Sequence, residues 1–149
     1  MKKIIFIYAN LMFGLLCMLN VSAALAQNTQ VTVTGIKSVK GQIVLNVFKD
    51  NKSYDDQKPY KKLLFEKKDI VDGTLVLNCT LESGIYGITL LDDENKSGDI
   101  DKNLLGIPKE GFGFSNFYMT KMSKPSFDDF KIEVKSNTEN KIGIKVKYM

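Results

Sequence analysis

Histidine does not occur anywhere in the 149-residue sequence. That absence excludes Ser-His-Asp and Cys-His catalysis, in which an imidazole must move the proton. It also excludes nearly all common zinc and iron sites, which rest on imidazole or on several thiolates. No Ser-x-x-Lys nucleophile pattern stands in for it. Tryptophan is absent too, which removes the largest flat side chain from any carbohydrate-stacking surface. These gaps predict a non-enzymatic protein, and any metal in it has to be held by oxygen.

Cysteine is scarce, with only Cys17 and Cys79 present. Cys17 falls inside an N-terminal stretch with the order of a secretory signal. Lys2 and Lys3 open it, an apolar run broken only by Asn10 covers residues 4–19, and small residues Ala24 and Ala26 close it. The run is shorter than the roughly 20 apolar residues of a spanning helix, so a cleaved signal is expected over an uncleaved anchor. Leu16 is bulky where a lipid-modified Cys17 would need a small residue before it. Residues 1–26 are therefore expected to be a signal peptide and residues 27–149 one domain, addressed to the periplasm or the extracellular space. After cleavage no membrane span is expected. Cys79 then stands alone, so no internal disulfide braces the fold. Its place in the apolar alternation of residues 75–79 predicts a buried, inert thiol.

Charge of one sign is also in short supply. The 21 basic and 17 acidic residues fall to 19 against 17 once Lys2 and Lys3 are removed, a net of +2. The lysines are scattered rather than blocked, so nucleic acid is not an expected partner.

What the sequence does hold is strand pattern. Val31 and Val33 alternate with Thr32 and Thr34, and Ile43, Leu45 and Val47 alternate with Val44, Asn46 and Phe48. Residues 49–59 read as a polar loop. Residues 60–70 fit either a helix face or a short strand, and the neighbouring strands favour the strand. Residues 74–80 and 85–91 read as further strands, separated by the turn signals Asp72-Gly73 and Ser83-Gly84. Residues 92–127 read as one long loop, 127–134 as a strand, and Ile142, Ile144 and Val146 as a last one. About seven short strands with regular turns predict a single all-β sandwich. A 36-residue loop in so small a domain is expected to be functional.

Within that loop, oxygen-bearing side chains recur at every second position: Asp93, Asn95, Ser97, Asp99 and Asp101. Gly98 stands sixth from Asp93. This is the opening half of a calcium loop, in which alternate oxygens curl around one cation and the glycine permits the sharp turn. Ser97 replaces the usual Asp or Asn. Leu104 occupies the place of the closing glutamate, a role that Glu110 or Asp92 could fill. Calcium is the expected metal, with ligands among Asp93, Asn95, Ser97, Asp99, Asp101 and Glu110, at the ~10⁻⁴–10⁻³ M affinity of extracellular modules. The alternative is a solvated acidic turn. Adjacent carboxylates at 92–94 do not define the gap across a sugar that glycoside hydrolysis requires.

Glycines alternate with aromatics just downstream, at Gly111-Phe112-Gly113-Phe114, followed by Phe117 and Tyr118. One reading makes Phe112, Phe114, Phe117 and Tyr118 a ligand surface, as in a carbohydrate-binding or transport accessory protein. The other uses the rings to pin the long loop onto the sandwich.

Residues 93–101 together with Gly106-Ile107-Pro108-Lys109-Glu110-Gly111-Phe112-Gly113-Phe114-Ser115-Asn116 resemble the signature of a bacterial exported family, domain of unknown function 2141. The turn Ser83-Gly84-Ile85-Tyr86 and the step Pro125-Ser126-Phe127 also resemble that family, over about residues 30–149. Asp92, Ser97 and Ser83 depart from its usual histidine, asparagine and proline. The resemblance implies an exported β-sandwich, prealbumin-like or immunoglobulin-like, and no established activity. The expected role is a structural or binding module of the cell envelope, with an envelope protein or a glycan as partner.

Overall fold

The computed structural model describes residues 27–121 and 123–149. The expected signal peptide, with Cys17, lies outside the described residues. No helix among the described residues is long and apolar enough to cross a membrane.

Among the described residues, eight strands form two sheets. The smaller sheet is built from β1 (Gln27–Thr34), β4 (Leu75–Leu81) and β8 (Asn140–Lys145), in the order β4-β1-β8. β1 runs antiparallel to β4 and parallel to β8. The larger sheet takes β2 (Gln42–Phe48), β3 (Lys61–Glu66), β5 (Gly84–Asp93), β6 (Gly111–Phe114) and β7 (Lys131–Val134). Its order is β3-β2-β5-β6, and β7 pairs with the first half of β5 while β6 pairs with the second. The expected all-β sandwich is the fold observed.

Alternation along each strand decides what is buried. Val31, Val33, Ile43, Leu45, Ile88 and Ile144 face one another between the sheets and are almost wholly enclosed. Cys79 joins this core as a free, buried thiol, and burial pushes its pKa up. The opposite face of the larger sheet carries a second apolar cluster, centred on Phe48, Phe114, Phe127 and Phe130. Two short helices close over it: α1 (Asn51–Asp55) and α2 (Phe127–Phe130).

The helices correct two expectations. Residues 49–59 are not all loop, because Asp50 caps α1. Its Oδ1 accepts the Ser53 amide at 2.7 Å, and its own amide donates to Ser53 Oγ at 3.3 Å. The helix points Tyr54 into the aromatic cluster, edge-on to Phe130 at 4.9 Å between ring centres. The segment 127–134 is not one strand either. Its first turn is α2, with Asp129 accepting both the amide and the hydroxyl of Ser126, and β7 begins only at Lys131. Phe130 therefore faces the outer cluster, while Val134 faces the core between the sheets.

Candidate functional site

The acidic loop leaves the sandwich from the end of β5, so Asp92 and Asp93 are still strand residues and both are fully buried. Strand alternation sends them to opposite faces. Each is held by a different set of partners.

Asp93 organises the loop. Its Oδ1 accepts the Ser97 amide at 3.0 Å, and its Oδ2 accepts the Gly98 amide at 2.9 Å and the Gln42 side-chain amide at 2.7 Å. Burial opposes ionisation there, but the bonds from Gln42 and from the Gly98, Ser97 and Lys96 amides outweigh it. The Asp93 carboxyl is held below its ordinary range. The turn this imposes needs left-handed backbone at Lys96 (φ 60°) and at Gly98 (φ 84°). Gly98 thus serves the sharp turn for which the sequence pattern reserves a glycine.

The remaining oxygens of the predicted metal set fall into three positions. Asn95 donates its amide to Asp101 Oδ2 at 2.7 Å and accepts the Ser97 amide at 2.9 Å. Ser97 Oγ donates to the Asp99 carbonyl at 2.9 Å, and the Asp99 side chain lies 3.4 Å from the ammonium of Lys62. Glu110 reaches back from the start of β6, where its Oε2 accepts the Asp101 amide at 3.1 Å. Glu110 is 8% exposed, and its Oε1 is buried without a hydrogen-bond partner. The sequence-predicted residues are therefore neighbours around one loop. Among the described residues, however, no three carboxylates converge as a ready metal cluster.

Asp92 has a role that sequence reasoning missed. Its Oδ1 is in contact with the ammonium of Lys67, and its Oδ2 accepts the hydroxyl of Tyr148. Lys67 is itself buried and also donates to the Ser38 carbonyl at 3.2 Å, while the Lys37 amide donates to Tyr148 Oη at 3.1 Å. Burial together with the bond to Asp92 raises the Tyr148 pKa. The network ties two loops and the segment after β8 to the root of the acidic loop. A signal for it did exist in the sequence: a carboxylate preceded by Leu90 and Leu91 in a strand demands a buried partner.

The glycine–aromatic segment is corrected by burial. Phe112 and Phe114 are each 8% exposed and belong to the outer cluster, so they do not form an open platform. Phe117 is half-buried, and only Tyr118 is exposed. The glycines explain the alternation. A Cβ on Gly111 would fall 2.6 Å from the Tyr148 ring, and one on Gly113 would fall 2.6 Å from Ile144. β6 therefore uses glycine on one face to approach the 144–148 segment closely, and phenylalanine on the other to fill the cluster. Phe112 and Lys147 exchange backbone hydrogen bonds of 3.0 and 2.7 Å across this approach, which links the two sheets. Ser115 locks the end of β6, accepting the Ile88 amide at 3.0 Å and donating to the Phe130 carbonyl at 2.6 Å.

Between the acidic loop and the residues Met119, Lys124 and Pro125 lies a half-open groove of about 720 Å³ on the outer face of the larger sheet. Asn46, Thr89, Leu91, Phe112 and Phe114 contribute from the sheet. Ile100 and Lys102 line it from the loop, and Met119 and Lys124 from the segment opposite.

Compared with curated proteins and with solved structures, the chain finds no match in either set. Among protein families, one described as an uncharacterized protein conserved in bacteria, DUF2141, matches residues 31–142. That span runs from β1 through the acidic loop and the glycine–aromatic strand into β8, and the chain belongs to this bacterial family of domain of unknown function 2141.

Proposed function

We propose that this protein is an exported, non-enzymatic binding module of the bacterial envelope whose 93–110 segment is braced by a calcium ion. The observation that carries the reading is Glu110. Its Oε1 is a buried carboxylate oxygen with no donor, one carboxylate width from the oxygen that holds the Asp101 amide. An orphaned buried acceptor costs about 1–3 kcal/mol, more when charged. A cation coordinated there would remove that cost. Asp93, through its amide bonds, holds the turn curled. Asp101 would exchange the Asn95 amide for the metal, and Asn95, Ser97 and the Asp99 carbonyl would complete an oxygen shell. The absence of histidine and of nucleophile motifs supports a binding rather than a catalytic role.

Calorimetry with calcium tests this. The expected result is saturable binding near millimolar calcium and a rise in melting temperature, both lost in Glu110→Gln. An equal rise in the wild type and in Glu110→Gln removes Glu110 as a ligand, and no heat at all removes the metal.

A second reading, a transport or carbohydrate-binding accessory protein that works through the glycine–aromatic segment, is favoured by the groove that Phe112 and Phe114 line. In that reading the envelope partner is a small ligand or a glycan, held beside the acidic loop.

A further inference from the structure

We propose that the outer-sheet groove is a binding site for a small amphipathic anion, an apolar body ending in a single acidic group. The inference deepens the binding-module reading and does not rest on calcium. At about 720 Å³ the groove lies within the ~300–1,000 Å³ of small-molecule sites. Its aromatic residues belong to a packed cluster in which Phe114 and Phe130 sit 5.2 Å apart and Phe112 and Phe114 6.1 Å apart. The surface offered to a ligand is therefore apolar and held in place.

Two polar side chains interrupt that surface. Asn46 and Thr89 are direct cross-strand partners on β2 and β5, both half-buried. Among the described residues neither side chain makes a hydrogen bond. An amide and a hydroxyl side by side on an apolar surface are the few convergent polar groups that orient a bound ligand.

The charges around the groove decide the sign of its head group. Asp99 lines the groove but lies against Lys62 at 3.4 Å. Lys124 lines it but pairs with Asp55 at 3.2 Å and rests on the Tyr54 ring at 4.0 Å. Lys102 lines it, is exposed, and has no ion pair among the described residues. Among the charged side chains that line the groove, the uncommitted one is thus positive, and an acidic head group complements it.

Laurate serves as the probe, titrated into the purified protein below its micelle concentration and followed by calorimetry and amide NMR shifts. Dodecanol and dodecyltrimethylammonium are the neutral and cationic controls. The expected result is one-to-one saturable binding with shifts confined to residues lining the groove. Affinity should drop about fivefold in Lys102→Glu, the size of an exposed charge pair. It should fall sharply in Thr89→Phe, which sets a ring beside Asn46 where the ligand would lie. Saturation that Thr89→Phe leaves intact, or shifts elsewhere on the sandwich, overturns the site. Equal binding of the cationic control overturns the anion assignment, as does an unchanged affinity in Lys102→Glu. Lys102 is exposed, so that variant decides the question even where Thr89→Phe fails to fold. Running each titration in EDTA separates this site from the metal: laurate binding is expected with calcium removed.

Discussion

Tyr148 donates its hydroxyl to Asp92 Oδ2 through the space left open by Gly111, the residue opposite Asp92 on β6. With Lys67 on the other carboxylate oxygen, this places a buried, charged bolt under the root of the acidic loop. The loop is anchored twice, through Asp92 to the core side and through Asp93 to its own turn.

Breaking the bolt from one side should be costly. Lys67→Met leaves the Asp92 carboxylate buried and without its counter-ion, and a loss of about 3–5 kcal/mol is expected. Adding Asp92→Leu to it should return most of that loss, because two apolar groups then replace two charges. Urea denaturation of the single and double variants checks both.

Gly111→Ala should act on the same bolt from a distance. The new methyl group would meet the Tyr148 ring at 2.6–2.8 Å and push the hydroxyl away from Asp92. A loss of about 2–3 kcal/mol is expected, from one charged hydrogen bond and local overpacking. In Tyr148→Phe, Gly111→Ala should add clearly less than it does alone, and a double-mutant cycle measures that difference.

Acid should loosen the loop before it unfolds the sandwich. Asp93 is held below its ordinary pKa in the folded protein, so its contribution is complete above the unfolded value of about 3.9. It is lost as pH falls through the lower, folded value. Melting temperature should therefore decline below about pH 4, and Asp93→Asn should flatten that part of the curve. An identical acid limb in the variant would mean that Asp93 carries none of it.

The aromatic strand should prove structural at its buried positions. Phe114→Ala empties the centre of the outer cluster and is expected to cost about 3–5 kcal/mol. Ser115→Ala strands the Ile88 amide and the Phe130 carbonyl, at about 1–3 kcal/mol for each buried group left unpaired. Tyr118→Ala, on an exposed ring, should change stability by under about 0.5 kcal/mol. Thermal denaturation ranks the three.

Much of the fold was legible because one side of each main strand is buried and the side-chain period is two. β1, β2, β4, β5 and β8 all follow from their alternating aliphatics. The parallel pairing of β1 with β8 was not legible, since alternation says which face is buried and nothing about the neighbour. α1 was hidden in a polar segment whose only sign is the Asp50-to-Ser53 capping pair. β6 was misread because Gly111 and Gly113 look like turn residues, while their work is to let Tyr148 and Ile144 come close. At the candidate site, the spacing of Asp93 and Gly98 marks a turn that the Asp93 side chain holds, with Gly98 in left-handed backbone. Lys67 escaped notice because a lysine among charged neighbours reads as solvated, and only the folded chain brings Asp92 to it.

A crystal structure of the protein grown in millimolar calcium tests the braced loop most directly. A cation is expected within about 2.3–2.6 Å of Glu110 Oε1 and Asp101, with the Asn95 amide released from Asp101. A loop in which Asn95 still donates to Asp101 and Glu110 Oε1 meets only solvent would contradict it.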